Sequence, residues 1–189
     1  DNKVKFIYFL GIFAFCVVIT LGVSFVYDEA LESHQRDRIE VLLGKKQDYK
    51  GVGYNVNQSK IAIGSGGLFG KGFLEGTQNK FRFVPEQSTD FIFCTIGEEW
   101  GFLGSGIIIF IYTWLCVKLV KMAERQRSPF ARIYGYSVAS IIFFHFAINI
   151  GMTIGLLPVI GIPLPFISYG GSSLWAFTLL LFIFIREDA

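Results

Sequence analysis

Four long apolar stretches set the rhythm of the chain. Phe6 to Tyr27 is uncharged throughout and has the length, about 20 residues, that a helix needs to cross a hydrocarbon core about 30 Å thick. It predicts a first spanning helix. A second stretch runs from Phe91 to Val117, with Glu98 and Glu99 near its start and Lys118 and Lys121 just past its end. Ile133 to Leu157 predicts a third span, carrying His145 and Asn149, and Ser168 to Ile185 a fourth that stops at Arg186. Four spans return both ends of the chain to one side of a membrane. The predicted organisation is therefore a spanning helix with a short lead-in (1–27), a long loop (28–90) and three further spans with their connections (91–189).

Between the first two spans, Asp28 to Asp90 is far longer than an ordinary connection, and loops of that length are functional or disordered. Its pattern argues for order. Leu31, Ile39, Leu42 and Leu43 are spaced among Glu32, Arg36, Asp37, Arg38 and Glu40, which predicts a short amphipathic helix over Leu31 to Leu43 lying at the membrane interface and ended by Gly44. The following GVGYNVNQSKIAIGSGGLFGKGF is rich in glycine at 64, 66, 67, 70 and 72, which permits tight turns and close approach to a ligand or to other helices. There is no internal repeat and no low-complexity linker.

Composition strengthens the membrane reading. The 189 residues are 52% hydrophobic and 17% charged, with a net charge of +2 and a mean hydropathy of +0.51. Soluble domains carry roughly 25% charge, and disordered chains or nucleic-acid binders need a polarity or basic excess that is absent here. Cys16, Cys94 and Cys116 all lie in apolar stretches with no metal-site or disulfide spacing, and are expected to be inert. The first apolar run is too long for a signal-peptide core, and no small-residue cleavage site follows it. A chain that opens on Asp almost directly into a span reads as a piece of a longer polypeptide. Orientation comes from the short connections. Lys118 to Arg132 holds five Lys or Arg against Glu124 alone, whereas Pro158 to Ile167 has no charge, so the basic connection is expected inside and the long loop outside.

The string FVPEQSTDFIFCTIGEEWG, from Phe83 to Gly101, gathers Glu86, Asp90, Glu98 and Glu99 where the long loop enters the second span. Two readings are open for Asp90. Thr89 or Asp90 is suited to cap the helix that follows Pro85, with the two glutamates favoured near the helix start by its dipole. Alternatively, Asp90 is a carboxylate held at a membrane surface over a lipid-linked substrate. Acids inside a span are functional suspects by default, which applies more to Glu98 and Glu99. In PLPFISYGGSS, Pro163 to Ser173, two prolines prevent a regular helix, and non-helical backbone at membrane depth must be buried in protein or line a cavity. It is either a cavity wall or a place where small residues let helices approach. His145 and Asn149 share one helical face, and neither is read as a metal ligand.

HQRDRI at 34–39, GYNVNQSKIAIGSGGLFGKGF, GTQ at 76–78, FVPEQSTDFIF, EEWGFLG and NIGMTIGLLPVIGIPLPFISYGGSS occur in this order and closely resemble the SEDS family of polytopic bacterial membrane proteins. The likeness covers nearly the whole chain from about His34 onward and is nearer to the elongation (RodA) branch than to the division (FtsW) branch. It implies an all-α, ten-helix fold whose last four spans are those found here. It implies a multi-pass protein of the cytoplasmic membrane with the long loop extracytoplasmic, and a glycosyltransferase that polymerises lipid II into β-1,4 glycan strands with a class B penicillin-binding protein. The family's essential aspartate falls on Asp90, within an intact Pro85, Glu86, Thr89, Asp90, Phe91 pattern. Such chemistry asks for a base near the acceptor hydroxyl and positive charge for the departing pyrophosphate, from Lys60, Lys71, Lys80, Arg82 or a divalent cation (Mg or Mn). Each of these cations could equally face lipid headgroups. The residues implied to bind substrate are Gln58, Lys60, Lys71, Gln78, Arg82, Glu86, Ser168, Tyr169, Gly170 and Gly171. Lipid II, membrane lipids and the penicillin-binding protein are the implied partners, with no nucleic acid. Because six helices of the family pattern are missing, this stretch alone is not expected to be active. A flippase of the lipid-linked precursor and a non-catalytic membrane scaffold remain alternatives.

Overall fold

The computed structural model of the chain describes residues 11, 15–23, 25, 27, 31–44, 51–81 and 83–188, and among them every regular element is a helix. They fall into two compact units, Asp1–Lys46 and Gln47–Ala189.

In the first unit, residues 15–23 are helical and turn apolar side chains such as Val18 and Leu21 outward, at 67% and 65% exposure. Much of the expected first span lies outside the described residues. Helix α1, Ser33–Leu42, falls within the predicted amphipathic segment. Its start is closed by Gln35 Oε1, which accepts from the Glu32 N–H at 3.2 Å. Tyr27 donates to Glu40 at 3.0 Å, and the Arg36 guanidinium lies 5.9 Å from the centre of the Tyr27 ring.

The second unit comprises α2 (Val52–Ser65), α3 (Thr77–Lys80), α4 (Ile92–Glu124), α5 (Pro129–Thr153) and α6 (Gly171–Asp188). Helices α4 and α5, of 33 and 25 residues, are long and apolar enough to cross a membrane. The helix ends follow local chemistry rather than hydropathy. Helix α5 begins four residues before the expected Ile133, at Pro129 in the first turn, where the missing N–H is no loss. It stops at Thr153 and not at Leu157, because Gly155 takes a left-handed φ of +74°. Helix α4 continues past Lys118 to Glu124, since long basic side chains can reach the interface from a continuing helix.

Helices α4, α5 and α6 share a core of Tyr112, Leu119, Val138, Ile142, Phe146 and Phe184. Tyr112 stacks on Phe146, with ring centres 4.9 Å apart and planes 7° from parallel. At the far end from Asp90, Arg125 Nε donates to Asp188 Oδ1 at 3.0 Å, tying α4 to α6.

Helix α2 is an element the glycine-rich sequence did not predict. It packs on both α4 and α5 through small residues, and Ser59 and Ala62 are wholly buried. A side chain at Gly66 would bring its Cβ within 2.0 Å of the Gly97 carbonyl oxygen, so the two backbones nearly touch. Beyond α2 the chain wedges into a break in α4. Gly101 adopts φ 64° and ψ −158° inside that helix, which releases backbone groups on both sides of it. The glycine-rich loop takes them up. Lys71 N donates to Glu98 O and Gly72 N to Glu99 O, both at 3.0 Å, while Phe102 N and Leu103 N donate to Gly67 O and Leu68 O at 2.9 and 3.1 Å. Four of the backbone groups around a kink in a long apolar helix are thus hydrogen-bonded to the loop, which an apolar surrounding favours.

Candidate active site

The chain enters α4 through a turn wrapped around one carbonyl. After Pro85, Glu86 adopts φ 51°, a conformation uncommon for a residue with a side chain. Its C=O then accepts the N–H groups of Thr89, Asp90 and Phe91 at 3.3, 3.1 and 3.2 Å. This turn displaces the helix start. Phe91 occupies the cap position and no side chain caps the helix, so the expected capping by Thr89 or Asp90 does not occur. Asp90 is left half-buried, with its carboxylate turned elsewhere.

It turns toward the segment that links α5 to α6. Asp90 Oδ2 lies against the bare Cα of Gly161, where an added Cβ would come within 3.2 Å of it. Gly161 itself has φ +80°. Burial first, and the charge of Glu86 second, raise the Asp90 carboxyl above its ordinary value. Both shift it in the direction a general base needs at neutral pH.

Side chains from three elements hold the turn and the linking segment together. Ser168 Oγ donates to the Thr89 carbonyl at 2.6 Å and accepts the Leu164 N–H at 2.7 Å. The Tyr169 N–H donates to the Ser88 carbonyl at 2.8 Å. From α5, Asn149 Nδ2 donates to the carbonyls of Asp90 and Ile162 at 2.8 and 2.7 Å. His145 Nδ1 lies 3.3 Å from the Pro163 carbonyl, and from α4 the Tyr112 hydroxyl donates to the Pro165 carbonyl. Pro158, Pro163 and Pro165 keep residues 154–170 out of a helix, and these donors satisfy carbonyls that a helix would otherwise have paired.

The remaining site candidates separate into groups. Glu98 is fully buried and anchors the loop before the turn. Its carboxylate accepts from Lys71 Nζ at 2.8 Å, Gln78 N at 2.9 Å, Asn79 N at 3.1 Å and Thr77 Oγ1 at 3.3 Å. Lys71 and Gln78 are therefore engaged in holding loop to helix, and Gln78 Oε1 is buried without a hydrogen bond among the described residues. The Lys60 side chain runs along Gly155 at the end of α5, where a Cβ would meet its Nζ at 2.5 Å. Gln58 is half-buried on α2. The Tyr169 ring is 80% exposed. Gly170 faces the Ser173 hydroxyl, and Gly171 faces open space. Arg82 lies outside the described residues. Beside the turn, Asn79, Pro85, Glu86, Gln87, Ser88 and Thr95 line a cleft of about 490 Å³. Among the described residues, no three His, Cys, Asp or Glu are grouped as a metal site.

Sequence reasoning passed over two of these roles. From sequence Glu98 reads as a dipole-favoured acid or a functional suspect within a span, and Asn149 as a polar residue sharing a helical face with His145; neither reading contains the anchoring role. The signal for both was their cost at that depth.

Comparison with known proteins agrees with the motifs. Residues 3–188 match the model of the FtsW, RodA and SpoVE family, described as cell cycle protein. The chain is 42% identical over 158 residues to peptidoglycan glycosyltransferase MrdB of Escherichia coli (strain K12), covering 84% of this chain and 43% of that protein. It is 39% identical over 171 residues to peptidoglycan glycosyltransferase RodA of Treponema pallidum (strain Nichols), covering 90% of this chain and 40% of that protein. The chain thus spans less than half the length of these curated relatives. Among solved structures, a chain of a peptidoglycan synthase complex that coordinates polymerization and crosslinking superposes with a TM-score of 0.67 at 27% identity, over 95% of this chain and 48% of that one.

Proposed function

The chain belongs to the FtsW, RodA and SpoVE family of cell cycle proteins, and from that premise we propose that the polypeptide it forms part of is a peptidoglycan glycosyltransferase of the elongation type with Asp90 as its base. The observation that carries this reading is the Asp90 carboxylate itself. It does no capping work, it is partly desolvated, and two separate sequence motifs are hydrogen-bonded together around its turn.

The substrate is lipid II. Asp90 accepts the proton of the acceptor's 4-hydroxyl as that oxygen attacks the anomeric carbon of the donor sugar, and the bond to undecaprenyl pyrophosphate breaks. An α-linked donor gives a β-1,4 product in one displacement, as in the inverting glycosidase geometry. The leaving pyrophosphate ionises readily and needs countercharge more than a proton. Lys60 and Lys80 are the loop cations to test for this, since Lys71 is bound to Glu98. A divalent cation, Mg or Mn, would take oxygen ligands mainly from the pyrophosphate, which Asp90 and Glu86 alone do not complete.

The wider reading follows from the same premise. Residues 6–27 and helices α4, α5 and α6 are the last four spans of a ten-helix protein of the cytoplasmic membrane. The Asp90 end is outside, the basic connection before α5 is inside, and a class B penicillin-binding protein is the partner. Charge asymmetry of the short connections supports the orientation. The likeness to a chain of a complex that couples polymerization to crosslinking supports the partner.

The deciding experiment uses purified complete protein and lipid II in detergent, with glycan length read on a gel. Without two compartments a flippase has nothing to do, and a scaffold has no turnover. Polymerisation in detergent is the expected result, and its absence in the presence of a purified partner would overturn the assignment.

A further inference from the structure

We infer that Asn149 is a positioning residue for the transfer reaction, setting where the Asp90 carboxylate sits by clamping its main chain to the segment that flanks it. This inference rests on the catalytic reading of Asp90. Asn149 has no exposed surface and sits in the last two turns of α5. Its Nδ2 has two hydrogens, and each is spent on a carbonyl of a different element, Asp90 at 2.8 Å and Ile162 at 2.7 Å. Ile162 follows Gly161, the residue whose open Cα face accommodates Asp90 Oδ2. One amide therefore fixes both walls of the gap in which the carboxylate lies.

The cost of the arrangement is visible. Asn149 Oδ1 is buried without a hydrogen bond among the described residues, and a buried orphan acceptor is unfavourable. The amide is accounted for by what its donor side holds. Ser168 and Tyr169 hold the same turn at Thr89 and Ser88, one and two residues earlier, so loss of Asn149 leaves the turn attached and releases only its Asp90 end. The expected consequence is displacement of the carboxylate without collapse of the fold.

Misplacement of a catalytic group by about 1 Å can cost on the order of 10²-fold in rate. Asn149→Ala, made in the complete protein with its partner, is expected to lower kcat for lipid II polymerisation by roughly that factor. KM should stay within about twofold, because what is lost is alignment in the transition state. A double-mutant cycle with Asp90→Glu supplies the readout that a merely structural role would not move. Once the carboxylate is already displaced by an extra methylene, removing Asn149 should cost far less than it does beside Asp90. Equal losses in the two backgrounds, or a near-native kcat for Asn149→Ala, would overturn the inference. If Asn149→Ala does not accumulate, Asn149→Ser fills more of the space while its shorter hydroxyl still leaves the two-carbonyl bridge unmade, and carries the same cycle. Near-native polymerisation by Asp90→Asn is a separate outcome that strikes the catalytic reading itself.

Discussion

Removing the Glu98 side chain should destabilise the protein more than any other single truncation in the loop around it. The carboxylate is wholly buried and accepts from one ammonium, one hydroxyl and two backbone N–H groups. Breaking a buried ion pair by deleting one partner costs about 3–5 kcal/mol, and each orphaned buried N–H about 1–3 kcal/mol. These do not simply add. The Lys71 side chain is 26% exposed and can recover some hydration, so Glu98→Ala is placed at about 3–5 kcal/mol in all. For a domain of this size that is a fall in melting temperature of roughly 6–20 °C. Glu98→Gln keeps one carbonyl oxygen for three of the donors but sets an NH2 against the Asn79 N–H, and should cost about 1–3 kcal/mol. Adding Lys71→Met to Glu98→Gln should then cost little more, since the ammonium has already lost its counter-charge. Thermal melting in detergent, followed by tryptophan fluorescence, reads the native protein, Glu98→Ala, Glu98→Gln, Lys71→Met and the double variant. A shift below about 2 °C for Glu98→Ala, or the same Lys71→Met effect in both backgrounds, would refute the anchor role.

Because a nearby negative charge raises the Asp90 carboxyl after burial has done so, Glu86→Gln should move the acid limb of the pH profile of kcat/KM to lower pH; no shift, or a shift upward, would remove Glu86 from the site's electrostatics. Gly161→Ala puts a Cβ 3.2 Å from Asp90 Oδ2 at a φ of +80° and should lower kcat several-fold, with a stability cost of about 1–2 kcal/mol. Unchanged turnover in that variant would show that the carboxylate does not depend on this wall. In intact cells, a Cys at the exposed Phe69 should react with a membrane-impermeant thiol reagent and one at Ser128 should not, and the reverse pattern would invert the proposed topology.

The motifs around Asp90 were legible because they break local rules in the sequence itself. Pro85 and the prolines at 163 and 165 forbid regular helix, and polar residues at 145, 149 and 168 are costly in apolar surroundings. What could not be read was how those residues would pair, since the Asn149 bridge joins positions far apart in the chain. Helix α2 was hidden for a different reason. Its glycines and β-branched residues are weak helix formers, and it is stable because Ser59, Ala62 and Gly66 let it press onto α4 and α5, which is a tertiary gain. The break at Gly101 was equally invisible, because only the neighbouring loop makes it affordable. Hydropathy found the apolar stretches but misplaced their ends, which Pro129 and Gly155 decide.

The most direct test of the account is the rate of lipid II polymerisation by Asp90→Asn, measured on complete protein with purified partner alongside its melting temperature. Asn preserves size while removing the basic carboxylate, and general-base catalysis contributes about 10²- to 10⁴-fold. A loss of at least 10² is therefore the expected result. Stability should move the other way. A carboxyl raised in the folded state favours folding when protonated and loses that contribution as pH rises through its folded value. At neutral pH the ionised Asp90 is thus a burden that Asn relieves, and the variant should melt no lower than the native protein. Near-native polymerisation by a well-folded Asp90→Asn would contradict the central claim that this carboxylate is the base.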